Sequence, residues 1–375
     1  MFAWHRFVAV LMKEFAQVRR DRLTFAMMIG IPVMQLVLFG YVINLDPKGL
    51  PTAVVSADTR VFARSLLRSL ENTGYFRLVA APATVAEAEE MMARGKIQFL
   101  VQIPEDFSRR IARGEQGVVL LEADATDPAA TGNALAAIGQ LTANALDRDL
   151  DGPLAARKQT APAFEIRVHR RYNPEGSTQY NIVPGLIGVV LTMTLGMMTA
   201  LAMTRERERG TMEMLLATPV KPLEVMLGKI VPYIFIGYVQ VVVILAAAAW
   251  LFAVPMVGSL ALLSAALVIF IAVNLAIGFT FSTFARSQMQ AMQMSFFFFL
   301  PSMLLSGFMF PYRGMPEWAQ VVGEALPLTH FLRIVRGIML KGNGAAEVMP
   351  SVWPMALIML AVMGAALARY RSTLD

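Results

Sequence analysis

The sequence contains no cysteine, so disulfides, thiolate metal sites, redox pairs and a cysteine nucleophile are all excluded. Histidine is nearly absent as well. The three present, His5, His169 and His330, lie far apart in the chain and never at ligand spacing. Charged residues make up only 16% of the 375 positions, against about 25% in soluble domains. No Asp or Glu falls inside any of the long apolar runs, where each would cost ~2.5–3.5 kcal/mol. A proton-driven transporter or an intramembrane aspartyl protease would need such groups. The GxxxxGK[ST], HExxH and GxSxG patterns are all missing, so the chain carries no catalytic motif and is not expected to be an enzyme.

What is present is apolar surface. Hydrophobic residues make up 56% of the chain and the mean hydropathy is +0.55, which describes a polytopic membrane protein. The 33 Lys+Arg against 27 Asp+Glu give a net charge of +6. These cations crowd the ends of apolar runs, so they read as a topology signal and as contacts for membrane lipids. No nucleic-acid partner is expected.

Residues 1–22 predict an amphipathic interfacial helix. Trp4, Phe7, Leu11, Phe15 and Val18 recur at helical spacing, with Arg6, Lys13 and Arg20 on the opposite face. Residues 23–45 form a first apolar run, bracketed by Arg19, Arg20, Arg22 and Asp46. At 1.5 Å per residue it can cross a ~30 Å hydrocarbon core. The basic cluster before it places the N-terminus in the cytoplasm.

From 46 to 178 the composition changes. Thr52–Ala57, Tyr75–Ala80, Ile97–Ile103, Val118–Glu122 and Phe164–Arg170 predict strands. Val61–Asn72, Val85–Arg94, Glu105–Arg113 and Pro128–Arg157 predict helices between them, the last opened by an Asp127-Pro128 start signal. Alternation of this kind predicts an α/β domain, here inserted between the first and second spans on the periplasmic side.

The apolar runs return over 179–375, at Ile182–Thr204, Ile230–Phe252, Leu260–Phe284, Met292–Phe310 and Val352–Ala368. That makes six transmembrane helices with both termini cytoplasmic. The inner loops carry Arg205, Arg207, Arg209, Lys221 and Lys229. One outer loop, 311–350, breaks the positive-inside rule with Arg313, Arg333, Arg336 and Lys341, partly offset by Glu317, Glu324 and Glu347. Its apolar content predicts short helices packed at the outer membrane boundary.

The longest inner loop, 205–229, reads RERERGTMEMLLATPVKPLEVMLGK. Glu206 and Glu213 share a helix face seven residues apart, and Met212, Leu215 and Leu216 form an apolar face. Thr218-Pro219 and Pro222 break that helix. A short mixed acidic and apolar helix of this kind suits docking to a cytoplasmic partner, and it equally suits a solvated loop.

This segment resembles the signature of type-2 ATP-binding-cassette exporter membrane subunits. Glu208, Arg209, Gly210, Thr211, Glu213, Leu215, Leu216, Thr218 and Pro219 match its first part, then Glu224, Gly228 and Lys229 its second. The likeness extends over nearly the whole chain, and the large insertion resembles the bacterial multidrug-type branch. It implies a permease of the inner membrane coupled through 205–229 to a separate ATPase, which would hold the ATP and Mg. No cofactor is implied for this chain itself.

Coupling contacts would then be Glu206, Glu208, Gly210, Thr211, Met212, Glu213, Leu216 and Pro219. A second membrane subunit, identical or similar, would complete a dimer, and the insertion could meet a periplasmic adaptor protein. The substrate would be amphipathic and drug-like or lipidic. Its path would run between the halves, past Met193 and Met197 of the second span and Met289, Met292, Phe296, Phe299 and Met303 of the fifth. Gly185 and Gly188 on the second span would permit close helix approach or face lipid. A polysaccharide or lipid exporter, or an envelope-assembly scaffold through which nothing crosses, are the alternative readings.

Overall fold

The computed structural model describes residues 46–146, 149–150, 162–208 and 222–371. The expected interfacial helix, the first span and most of the loop 205–229 lie outside the described residues.

The polar region folds as the alternation predicts, in the order β1 (Leu50–Ser56), α1 (Val61–Asn72), β2 (Phe76–Ala80), α2 (Val85–Ala93), β3 (Phe99–Ile103), α3 (Phe107–Arg113), β4 (Gly117–Asp124), α4 (Pro128–Asn144) and β5 (Phe164–Arg171). The five strands lie in the order β2-β1-β3-β4-β5. Only the β3–β4 pairing is antiparallel. Strand side chains alternate between faces. Leu50, Val54, Phe99, Val101 and Ile103 meet α1, α3 and α4 in one core. Ala53 and Leu100 meet Ala88 and Met92 of α2 in a second. Asp127 caps α4 as its sequence signals, its carboxylate accepting from the Ala129 and Ala130 amides at 3.2 and 3.3 Å.

α4 stops at Asn144 rather than continuing to Arg157. The chain turns there to bury Leu146 and Leu150 in the larger core, and Ser69 donates to the Ala145 carbonyl at 3.2 Å. Beyond β5, Tyr172 adopts a left-handed backbone with φ 67°, which is uncommon for a bulky residue. Asn173 is fully buried. Its side chain donates to the Ser177 carbonyl and accepts from the Ser177 amide, both at 2.9 Å.

The helical region follows as α5 (Thr178–Glu208), α6 (Pro222–Trp250), α7 (Leu260–Phe284), α8 (Gln288–Leu305), α9 (Glu317–Glu324), α10 (Pro327–Arg336) and α11 (Ala345–Arg371). Among the described residues, four stretches are long and apolar enough to cross a membrane: Thr178–Arg205, Tyr233–Trp250, Leu260–Phe284 and Ala345–Ala365. α7 is buried around most of its circumference, as an all-apolar central helix must be. It packs against α5, α6, α10 and α11, and its Phe270 stacks on Phe331 of α10 with centroids 4.1 Å apart.

α8 is not one of the four. It has 18 residues and ends at Leu305, short of the expected Phe310. Gly307, with φ 85°, takes the left-handed turn that ends it and lets the chain double back. The outer loop then forms a short 3-10 turn, α9 and α10, as its apolar content predicts. Gly188 faces this cap rather than lipid: a Cβ there would lie 2.6 Å from Leu328 Cδ1 and 2.9 Å from Phe331 Cδ1.

Candidate functional site

The inner end of α5 is where the expected coupling segment begins. Gln288 is the first residue of α8, and helix geometry leaves its amide without an intrahelical partner. Glu208 supplies that partner from another helix, accepting from the Gln288 amide at 2.8 Å and from its side-chain nitrogen at 2.5 Å. These two donors hold the Glu208 carboxyl below its ordinary pKa, the side-chain bond contributing most. Arg205 Nε donates to Gln288 Oε1 at 3.1 Å. The carboxylate also sits favourably at the positive end of the α8 dipole. Of the other coupling residues, Glu206 lies on α5 with its side chain outside the described residues, and so do Gly210, Thr211, Met212, Glu213, Leu216 and Pro219 entirely.

Toward the membrane, α5 and α8 pack on each other, brought close by the small buried residues Ala200, Ala285 and Ala291. The expected path residues divide. Met193, Met289, Met292 and Phe296 are exposed, whereas Phe299 and Met303 lean on the bundle core and Met197 is half-buried. Two polar atoms on these helices escaped the sequence reading: Thr199 Oγ1 and Gln293 Oε1, both buried without a hydrogen-bond partner among the described residues. Thr194 Oγ1 lies 2.9 Å from Gln240 Oε1, joining α5 to α6.

The opposite end of α5 carries a denser arrangement, made by the cations of residues 311–350. Lys341 forms an ion pair with Asp124 of β4 at 2.5 Å and donates to the Met92 carbonyl at 3.2 Å. Asn343 donates to the Ala93 carbonyl at 3.0 Å, and Arg313 to that of Gly95. Asn181 Nδ2 donates to Asp127 Oδ1 at 3.0 Å, tying α5 to the cap of α4. Arg333 grips Glu324 and stacks 4.7 Å over the Tyr312 ring. Arg336 donates to the carbonyls of Gly307 and Asn181 at 3.1 and 3.4 Å.

These side chains wall a cavity of about 460 Å³ between the α/β unit, α10 and the start of α11. Burial pushes the Asp127 carboxyl up, against the pull of Arg336. It pushes the Arg313 and Arg336 guanidiniums down. Sequence reasoning noted the misplaced charges without their partners, because those partners lie more than 200 residues away in several cases.

Comparison with known proteins places the chain in context. The family model described as "ABC-2 family transporter protein" matches residues 22–368. The Escherichia coli K12 protein named "Probable multidrug ABC transporter permease YbhR" is 28% identical, over 98% of this chain and 99% of its own length. Its counterpart YbhS, of the same printed description, is 30% identical over 92% and 90%. "ABC transporter G family member 20" of Dictyostelium discoideum is 25% identical over 94% of this chain and 48% of that protein.

Proposed function

Because the chain belongs to the ABC-2 family of transporter proteins, we propose that it is the membrane subunit of an ATP-driven exporter in a bacterial inner membrane. It moves an amphipathic drug-like or lipidic substrate outward, in keeping with the multidrug permease names of two relatives. Six helices span the membrane, with 23–45 as the first and α8 as the fifth, and both termini are cytoplasmic. The α/β unit stands in the periplasm, where an adaptor protein can meet it. A separate ATPase binds ATP and Mg and docks on 205–229 through Glu206, Met212, Glu213 and Leu216. A second membrane subunit completes the path.

The observation that carries this reading is the bond from Glu208 to the first residue of α8. A force applied to the loop beyond Glu208 reaches two helices at once, α5 through its backbone and α8 through this bond. α5 has 31 residues, a rod of ~46 Å at 1.5 Å per residue. Its outer half abuts α10, where Gly188 meets Leu328 and Phe331. An inner displacement therefore reaches the outer cap as a rigid-body shift, the usual form of switching between two packed states. The exposed Met193, Met289, Met292 and Phe296 would face the partner subunit across the path, where flexible thioethers accept varied apolar ligands.

The test is co-purification from native membranes in mild detergent, followed by mass spectrometry. A stoichiometric ATPase chain is expected, and its absence even after cross-linking would overturn the reading. Glu213→Arg should insert normally in the membrane and recover less of that ATPase. Wild-type recovery would remove Glu213 from the dock.

A further inference from the structure

Five cations line the cavity at the outer junction, including Arg313, Arg333, Arg336 and Lys341, beside the carboxylates of Asp124, Asp127 and Glu347. Three of the five have a carboxylate within 4 Å: Lys341 on Asp124, Arg333 on Glu324 and Arg94 on Glu90. Arg313 and Arg336 form no ion pair among the described residues. Their bonds go to the carbonyls of Gly95, Gly307 and Asn181, and Arg336 Nη2 is buried with no partner. Asp127 acts on Arg336 only from beyond contact distance, so neither guanidinium has a carboxylate to bond, and an anionic group in the space beside them would supply that bond.

The place of the cavity narrows the chemistry further. α11 contributes Glu347, Val348, Pro350 and Ser351 to its wall. The same helix exposes Met349, Trp353, Leu357 and Leu360 along its length. The stretch Ala345–Ala365 is apolar enough to span a membrane, so the cavity sits where that span emerges. A molecule with its head in the cavity therefore has the membrane at hand for an apolar tail.

We infer that this cavity is a binding site for the anionic headgroup of an amphiphile, a phosphate or carboxylate held by Arg313 and Arg336. Planar guanidiniums suit such groups through paired N–H donors. The site stands on the outer junction alone and needs neither the ATPase nor transport, so it goes beyond the exporter reading and fails independently of it.

Titration calorimetry on the full chain in uncharged detergent tests it with three probes: dihexanoyl phosphatidylglycerol, dihexanoyl phosphatidylcholine and inorganic phosphate. The phosphatidylglycerol should bind at least tenfold tighter than the zwitterionic phosphatidylcholine. If inorganic phosphate matches it, the occupant is a free anion and the tail is idle; if phosphate is tenfold weaker, the occupant is lipid. Either result supports an anion site. Joint Arg313→Gln and Arg336→Gln replacement should erase the preference for negative charge. Ser351→Trp, which narrows the cavity without altering its charge, should weaken binding tenfold even if the double variant does not fold. No preference for either anion in the wild type, or a full preference kept by a folded double variant, overturns the inference.

Discussion

At the outer end of the bundle, Lys341 and Asp124 form an ion pair whose side chains are only 9% and 8% exposed. At the opposite end, Glu208 reaches Gln288 in an exposed contact. Both contacts join helices distant in sequence, yet water competes for one and not for the other. A buried pair is expensive to break, because removing one member strands the other charge in a poor solvent. An exposed one can be exchanged for water at little cost. The first contact therefore contributes to stability, whereas the second sets α5 against α8 and adds little to it.

The largest expected effect breaks the outer half of that contrast. Lys341→Met leaves Asp124 buried without its partner and should cost about 3–5 kcal/mol of stability, read by thermal unfolding in detergent. Adding Asp124→Leu should recover most of it. A single variant that unfolds like the wild type would show that water already reaches the pair.

Next in size is packing. Gly188→Leu drives a side chain into Leu328 and Phe331 and should destabilise by about 1–3 kcal/mol. Gly364→Leu, near the other end of α11 with no atom of the described residues within 4 Å of its Cβ position, should not. Equal losses from the two would abolish the distinction between a packed end and an open one.

A third measurement sharpens the comparison through pH. Burial opposes ionisation of Asp58, but bonds from Arg60 and Ser108 outweigh it and the folded carboxyl titrates below its ordinary value. A depressed carboxyl pKa contributes stability above the unfolded value and loses it as pH falls through the folded one. The α/β unit should thus weaken below about pH 4, and Asp58→Asn should flatten that slope in an acid unfolding series. The smallest effect on stability belongs to Glu208→Gln. It should leave the unfolding temperature unchanged while lowering ATP turnover several-fold in the assembled transporter. Unchanged turnover would remove Glu208 from the coupling route.

Much of this architecture was legible in the sequence, for identifiable reasons. α1 and α7 run over the expected residues, Val61–Asn72 and Leu260–Phe284, because their apolar periodicity and flanking breakers coincide. The strands fall within one or two residues of expectation at most ends, since alternation there is local. The ends of α4 and α8 were not legible. Leu146 and Leu150 turn inward to meet side chains from α1 and β5, and Gly307 turns the chain beneath Tyr312, both long-range decisions. The outer junction left only a trace, four cations on the wrong side of a charge rule. The partners of Lys341 and Arg313, on β4 and around α2, could not be paired with them before the sheet was built.

The short link from β5 to α5 has a consequence for measurement. Tyr172 lies under the Lys341 ammonium at 5.2 Å, and Asn173 clasps Ser177 from both sides, so the joint has little freedom to bend. The α/β unit then behaves as a pointer fixed to the rod it crowns, and any tilt of α5 is magnified at its far edge. A dye pair on the exposed positions Arg77 of the two subunits would register, in an easily labelled place, a tilt that begins at the far end of α5.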